Sequence, residues 1–401
     1  MIAKSNDPGT RLNTDRMQHP SGHVNAPISD SAMFAFSTGA EMTEMFEVGI
    51  AGRFLYSRHA NPSCAALAAK LAAMEATEAA IVIASGMSAI ACAILQVCSA
   101  GDHIIASRTV YGGTYALLEN FLPRFGITTS FIDINDQTAL NDAMQPNTKM
   151  LFAETMSNPL LAVCDIPNLS AFAHSNGLTL MIDNTFAPLI CSPAMHGADI
   201  VIHSLTKYIN GMGDHLGGVI CGTENLIQSL MDVNSGATML LGPSMDAGVA
   251  ADIRKNLQSL PVRVRQHSAN ALKVGSRLQA SGFRVVYPGL ESHPDHLRLQ
   301  TLSNEGYGAG AVLTLDCGTR ERADSLMQHL KDAGLGFLAV SLGYVHTLFS
   351  MPACSTSSEI PAAERERMGL SEGFVRFSIG IDADGDWLAS EIAAIATKVL
   401  L

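Results

Sequence analysis

The arrangement of apolar and polar positions changes character twice along the chain. From about residue 65 to 260, short apolar runs alternate with stretches of helical spacing. Strands are predicted at 80–84, 103–106, 127–132, 149–153, 178–182 and 199–203, and helices at 65–76, 88–97, 114–125, 138–144 and 166–175. Regular alternation of this kind predicts an α/β unit, a mostly parallel sheet with helices on both faces. A long helix at 262–281 then leads into strands near 283–287, 310–315 and 374–379, which read as a smaller C-terminal α+β domain. Residues 1–44 have weak periodicity and many Ser, Pro, Asn and Asp, and read as an arm rather than a packed unit. The expected division is an arm over 1–60, a large domain over 61–260 and a C-terminal domain over 261–401.

Composition narrows the function classes. A chain of 401 residues with 47% apolar and 15% charged residues is long enough for two domains around a large core. Its net charge of −12, with no dense Lys/Arg run, argues against a nucleic-acid partner. The eight cysteines are scattered through apolar context without a CxxC pair, which suits reduced thiols in the cytoplasm better than a disulfide framework. The start, MIAKSNDPGT, lacks the apolar core of a signal peptide. Residues 79–101 carry no charge and are long enough to span a bilayer, but Ser85-Gly86-Met87-Ser88 and Gln96 interrupt them. That stretch is read as a buried strand, a glycine turn and a buried helix, with no membrane partner. A metal site built from His293 and His296, or from His196, His203 and His215, is not expected, because the spacing is irregular and no carboxylate cluster accompanies it.

The densest chemistry lies in residues 183–218. The runs 178–182 and 199–203 read as neighbouring strands, and strand ends are where α/β sheets place chemistry. The first run delivers Asp183; the second opens into Ser204, Thr206 and Lys207. An aldehyde cofactor bearing a phosphate and a pyridine nitrogen requires an amine, a carboxylate to keep the ring nitrogen protonated, and small hydroxyls for the phosphate. A single Asp or Lys is more often a cap or a solvated group. Lys207 differs in being flanked by Ile200, Val201, Ile202, Tyr208 and Ile209, whose desolvation would lower its pKa toward that of a nucleophilic amine. The SGMS turn at 85–88 offers backbone N–H groups at a helix start, where the dipole favours an anion. Arg376, inside the apolar strand FVRFSIG, is costly unless a buried anion meets it.

Several motifs in order, DNTFAP (183–188), SLTKYINGMGDHLGG (204–218), YSRHANPS (56–63), SGMSAI (85–90), YGGT (111–114), ETMSNP (154–159), SLG (341–343) and SEGFVRFSIG (371–380), resemble the cysteine and methionine metabolism enzymes. This pyridoxal phosphate family includes cystathionine γ-synthase, cystathionine γ-lyase and methionine γ-lyase. YVHTLFSMPACSTSS (344–358) and MLLGPSMD (239–246) look most like the methionine γ-lyase branch of plants and some bacteria. The resemblance implies the type I fold of PLP-dependent transferases, with a mostly parallel seven-stranded sheet. It implies pyridoxal 5'-phosphate on Lys207, with Asp183 at the ring nitrogen and Tyr111 stacked on the ring. It assigns the phosphate to the Gly86 and Met87 amides, Ser204 and Thr206, with Tyr56 and Arg58 arriving from a neighbouring subunit. Glu154 and Asn158 match positions near the phenolic oxygen, and Arg376 with Ser341 the positions that hold the substrate α-carboxylate. A homotetramer built as a dimer of dimers, with shared active sites, follows from the same resemblance.

The implied reaction is α,γ-elimination on a γ-substituted amino acid: methionine to 2-oxobutanoate, methanethiol and ammonia. Cleavage of canavanine or cystathionine, or γ-replacement as in cystathionine γ-synthase or a homoserine-ester sulfhydrylase, is the alternative. Gly113 stands where bacterial methionine γ-lyases often carry cysteine, a departure that bears on substrate choice.

Overall fold

The computed structural model describes residues 5–14, 22–47, 50 and 52–401. Residues 1–4, 15–21, 48–49 and 51 of the predicted arm lie outside the described residues.

Seven strands form the larger sheet: β1 (Ala79–Ile83), β2 (His103–Ser107), β3 (Thr128–Ile132), β4 (Thr148–Glu154), β5 (Thr179–Asp183), β6 (Ile200–Ser204) and β7 (Gly218–Gly222). Their order is β1-β7-β6-β5-β4-β2-β3. The pairs β6/β5, β5/β4, β4/β2 and β2/β3 are parallel, while β7 runs antiparallel to both β1 and β6. Both faces are covered. On β4 to β6, Leu151, Ala153, Leu180, Ile182 and Val201 enter one core, whereas Met150, Phe152, Met181, Ile200 and Ile202 enter another on the opposite face. Double burial explains why these strands read as continuous apolar runs.

The six strands expected in this region all form, within one or two residues of their predicted ends. β7 completes the seven-stranded sheet that the resemblance implied, at a position where no strand was predicted. The helix predicted at 114–125 is instead a short α-helix (Gly112–Ala116), a π turn (Leu117–Phe121) and a 3-10 turn (Leu122–Phe125). Pro123 has no N–H to continue an α-helical ladder, which accounts for the break. The uncharged stretch 79–101 folds as β1, the Ser85 turn and the helix Gly86–Val97. Among the described residues no helix is long and apolar enough to cross a membrane.

A second sheet contains β8 (Val285–Val286), β9 (Val312–Asp316), β10 (Phe337–Leu338), β11 (Leu348–Ser350) and β12 (Phe374–Ser378), ordered β10-β11-β12-β9-β8. The long helix Leu260–Ala280 packs on the last helix, Gly385–Leu400. One continuous apolar cluster extends from Leu12 to Leu400 and takes in both sheets. Within the predicted arm, the helix Pro8–Thr14 lies against the chain's own helix Pro62–Glu75. Leu12 is fully buried there, and Arg11 donates from Nε to Ala73 O (2.9 Å) and from Nη2 to Met74 O (2.9 Å).

Candidate active site

A cleft of about 260 Å³ opens at the carboxyl ends of β4, β5 and β6, beside the turn after β1. Eleven of the sequence-predicted site residues line it. Gly86 and Met87 begin a helix at the rim, Glu154 and Asn158 lie at and beyond the end of β4, and Asp183 closes β5. Ser204, Thr206 and Lys207 follow on from β6, Tyr111 leans over, and Ser341 and Arg376 come from the second sheet's side. Tyr56 and Arg58 do not line this cleft. Arg58 instead donates to Met239 O at 3.1 Å, and Tyr56 is 44% exposed.

The turn after β1 is shaped by Ser85, which caps the helix Gly86–Val97: Ser85 Oγ accepts from Ser88 N (3.1 Å) and Ser85 N donates to Ser88 Oγ (3.1 Å). The first N–H groups of such a helix have no intrahelical acceptor and point outward. Gly86 is required by the close approach of β6, since a Cβ here would lie 2.8 Å from Ser204 Cβ. Thr185 ties two strand ends together: its N–H donates to Asp183 Oδ1 (2.9 Å) and its Oγ1 accepts from Ser204 N (2.8 Å). Thr206 Oγ1 accepts from Gly217 N at 3.1 Å.

Electrostatically the site is unbalanced. The Glu154 carboxyl is raised well above the usual range, by burial first and then by neighbouring Asp183, although Oε1 accepts from Tyr111 N at 2.7 Å. Its Oε2 has no partner among the described residues. Asp183 is raised by burial, opposed by its bonds from Thr185 and by the nearby His203. Burial and then the Arg376 charge lower the Lys207 amine, whose Nζ donates to Ser341 Oγ at 3.1 Å. Burial pushes the Tyr111 hydroxyl up, helped by Glu359.

Arg376, only 3% exposed, is held by two neutral oxygens: Nη1 donates to Asn158 Oδ1 (3.0 Å) and Nη2 to Ser341 O (3.0 Å), while Nε has no partner among the described residues. Burial brings its pKa down to about 10. The anion expected opposite this charge from the sequence is not supplied by these contacts. Ser341 has φ +148°, a backbone conformation that residues other than glycine seldom adopt and that clusters at functional sites.

Sequence reasoning missed Thr185, Met156, Phe186 and Thr356, all of which line the cleft. Only Thr185, two residues beyond Asp183, had a usable signal, as the hydroxyl of a strand-end turn. The others are apolar, or sit on a loop that only the fold brings near. Among the described residues no cluster of His, Cys, Asp and Glu is arranged to hold a metal.

The model of the family described as Cys/Met metabolism PLP-dependent enzyme matches residues 10–394. The chain belongs to this family. It is 46% identical to methionine gamma-lyase of Arabidopsis thaliana over 90% of the chain and 83% of that protein. It is 36% identical to L-methionine gamma-lyase of Fusobacterium nucleatum subsp. polymorphum over 95% of each. Among solved structures, a putative O-acetylhomoserine (thiol)-lyase of Campylobacter jejuni superposes with a TM-score of 0.89 at 27% identity, covering 98% of this chain and 100% of that one. That structure holds N'-pyridoxyl-lysine-5'-monophosphate. Pyridoxal phosphate is therefore the cofactor of this enzyme, and the fold is that of PLP-dependent lyases and synthases. The residues present fit it. The cleft combines a desolvated amine, a buried carboxylate, paired hydroxyls and a capped helix start, and it leaves Glu154 Oε2 and Arg376 Nε without partners among the described residues.

Proposed function

We propose that this chain is a γ-lyase that converts methionine and water to 2-oxobutanoate, methanethiol and ammonia. The observation that carries this reading is the 46% identity to a plant methionine gamma-lyase across 90% of the chain. The cleft supports it with an apolar wall that includes Met156, Phe186, Leu216 and Val340, suited to a thioether.

Bound pyridoxal phosphate supplies an electron-accepting ring that stabilises negative charge at the substrate's α and β carbons. Gly86 and Met87 N–H groups with the Ser204 and Thr206 hydroxyls would hold its phosphate, and Asp183 would keep the ring nitrogen protonated. Asn158 and Glu154 would flank the phenolic oxygen, and the Tyr111 ring would cover the pyridine face. Arg376 and Ser341, both lining the cleft, would orient the α-carboxylate. Lys207 would hold the cofactor through its amine, and that amine, lowered by burial and by Arg376, would take the substrate's α proton and then move a proton at the β carbon. Tyr111, whose raised pKa keeps the hydroxyl protonated, gives its proton to sulfur as the Cγ–S bond breaks.

We further assign residues 1–60 to an arm reaching a neighbouring subunit, 61–260 to the cofactor domain and 261–401 to the C-terminal domain. Tyr56 and Arg58, outside their own chain's cleft, would complete a partner's phosphate site in a dimer, and two dimers would make the tetramer. Eight unbonded cysteines, six of them buried, support a cytoplasmic setting.

The test is a substrate panel on cofactor-loaded protein: methionine, homocysteine, cystathionine, canavanine and O-acetylhomoserine, with and without cysteine, assaying 2-oxobutanoate, ammonia and the released γ group. Keto acid with methanethiol from methionine alone is expected. Turnover confined to canavanine, or product formed only with added cysteine, would overturn the assignment. Lys207→Ala should abolish turnover while the phosphate site still takes up cofactor.

A further inference from the structure

Behind the strand ends that carry the site, on the sheet face away from the cleft, lies a polar cluster that the proposed chemistry does not use. Glu75, the last residue of the helix Pro62–Glu75, is 1% exposed. Its Oε1 accepts from His203 Nε2 at 2.7 Å and from Asn184 Nδ2 at 3.3 Å, and its Oε2 has no partner among the described residues. Asn184 Oδ1 in turn accepts from Thr155 Oγ1 at 2.8 Å. His203, Asn184 and Thr155 are all fully buried.

The identity of these three residues gives the cluster its meaning. Thr155 follows Glu154, Asn184 follows Asp183, and His203 precedes Ser204. Side chains alternate across a strand, so when one of each pair faces the cleft, its neighbour faces the reverse side. Backbone bonds lock the same ends together, Thr155 N to Asp183 O (3.0 Å) and Asn184 N to Ile202 O (2.8 Å). A buried carboxylate left with one open oxygen is expensive, and such groups persist where they fix a geometry.

We propose that Glu75 is the positioning residue of the cofactor site, a single buried carboxylate that sets the mutual placement of Glu154, Asp183 and Ser204 from the reverse face of the sheet. It touches neither cofactor nor substrate and acts through Asn184, His203 and Thr155. The proposal rests on the site reading above. At metal sites, residues that orient the ligating groups from behind change affinity or activity by about 10- to 100-fold when altered; a comparable scale is expected here, since small misplacements of reacting groups cost rate.

The decisive experiment titrates cofactor-free wild type, Glu75→Gln, Glu75→Ala, Asp183→Ala and Ser170→Ala with pyridoxal phosphate, following the visible absorbance of the bound cofactor, and records thermal melts and methionine kinetics. Ser170, whose hydroxyl bonds Gly197 O at 3.0 Å far from the cleft, is the control for loss of stability alone. Glu75→Gln is expected to bind pyridoxal phosphate about 10-fold more weakly and to lower kcat with little change in KM, with Glu75→Ala further affected. Ser170→Ala should lose melting temperature without losing affinity. If Glu75→Gln binds within about twofold of wild type while Asp183→Ala is weakened, Glu75 only stabilises the fold and the proposal is overturned, an outcome that Glu75→Gln can show even if Glu75→Ala does not fold. If Asp183→Ala also binds like wild type, the site reading fails and the proposal falls with it.

Discussion

Glu154 illustrates how a single side chain reports on the state of the site. Burial and Asp183 raise its carboxyl well above the ordinary value of 4.5. A carboxyl raised in the folded state binds its proton more readily folded than unfolded, so stability is lost as pH rises through the ordinary glutamate range toward the folded value. Glu154→Gln keeps the acceptor for Tyr111 N and removes the charge. In cofactor-free protein its melting temperature should exceed that of wild type at pH 8, and the gap should close as pH falls toward about 4.5. A constant gap at all pH values would mean that Glu154 ionises freely. At this scale much of the site was legible. Lys207 and Asp183 stood at the ends of apolar runs, and Arg376 was a charge inside an alternating strand. The resemblance put Ser341 beside Arg376 and Asn158 in the same site, but it did not show that Asn158 Oδ1 and the Ser341 carbonyl themselves accept the guanidinium's bonds, because nothing local in either segment marks those contacts.

Among elements, strands buried on both faces announced themselves, because four or five consecutive apolar residues have few other uses. β7 escaped because its sequence, GVICG, is bracketed by glycines that ordinarily signal a turn. The second sheet's β10 and β11, two and three residues long, are too short to show any period, whereas β8 lies within the strand expected near 283–287. The glycines of β7 have a specific reason. A Cβ on Gly218 would lie 2.1 Å from Ser85 O, so β7 and the turn that begins the helix Gly86–Val97 share one backbone contact. Gly218→Ala should therefore cost about 1–3 kcal/mol in denaturant unfolding and weaken cofactor binding in the same variant. Unchanged binding alongside lost stability would show that the turn relaxes independently of β7.

For the molecule as a whole, the continuous core from Leu12 to Leu400 makes the two sheets one packed body. Alternating strand and helix patterns revealed both layers, but nothing in them could reveal that the second sheet supplies a wall of the cleft. Subunit sharing is tested by mixing two inactive variants. If Arg58 serves a partner's site in a two-fold dimer, refolding Lys207→Ala together with Arg58→Ala leaves one intact site in each mixed dimer, and about a quarter of wild-type activity should return. No recovery from two variants that are each inactive would mean that Arg58 serves its own chain, and an active Arg58→Ala would place it outside catalysis.

The guanidinium of Arg376, gripped only by neutral oxygens, remains an open cationic receptor between turnovers. Such a receptor does not ask whether an arriving carboxylate also carries an amine. The keto acid leaving the enzyme bears the same carboxylate as the amino acid entering it, so if Arg376 holds that carboxylate as proposed, departing product and incoming substrate compete for one berth, and turnover is expected to slow as 2-oxobutanoate accumulates.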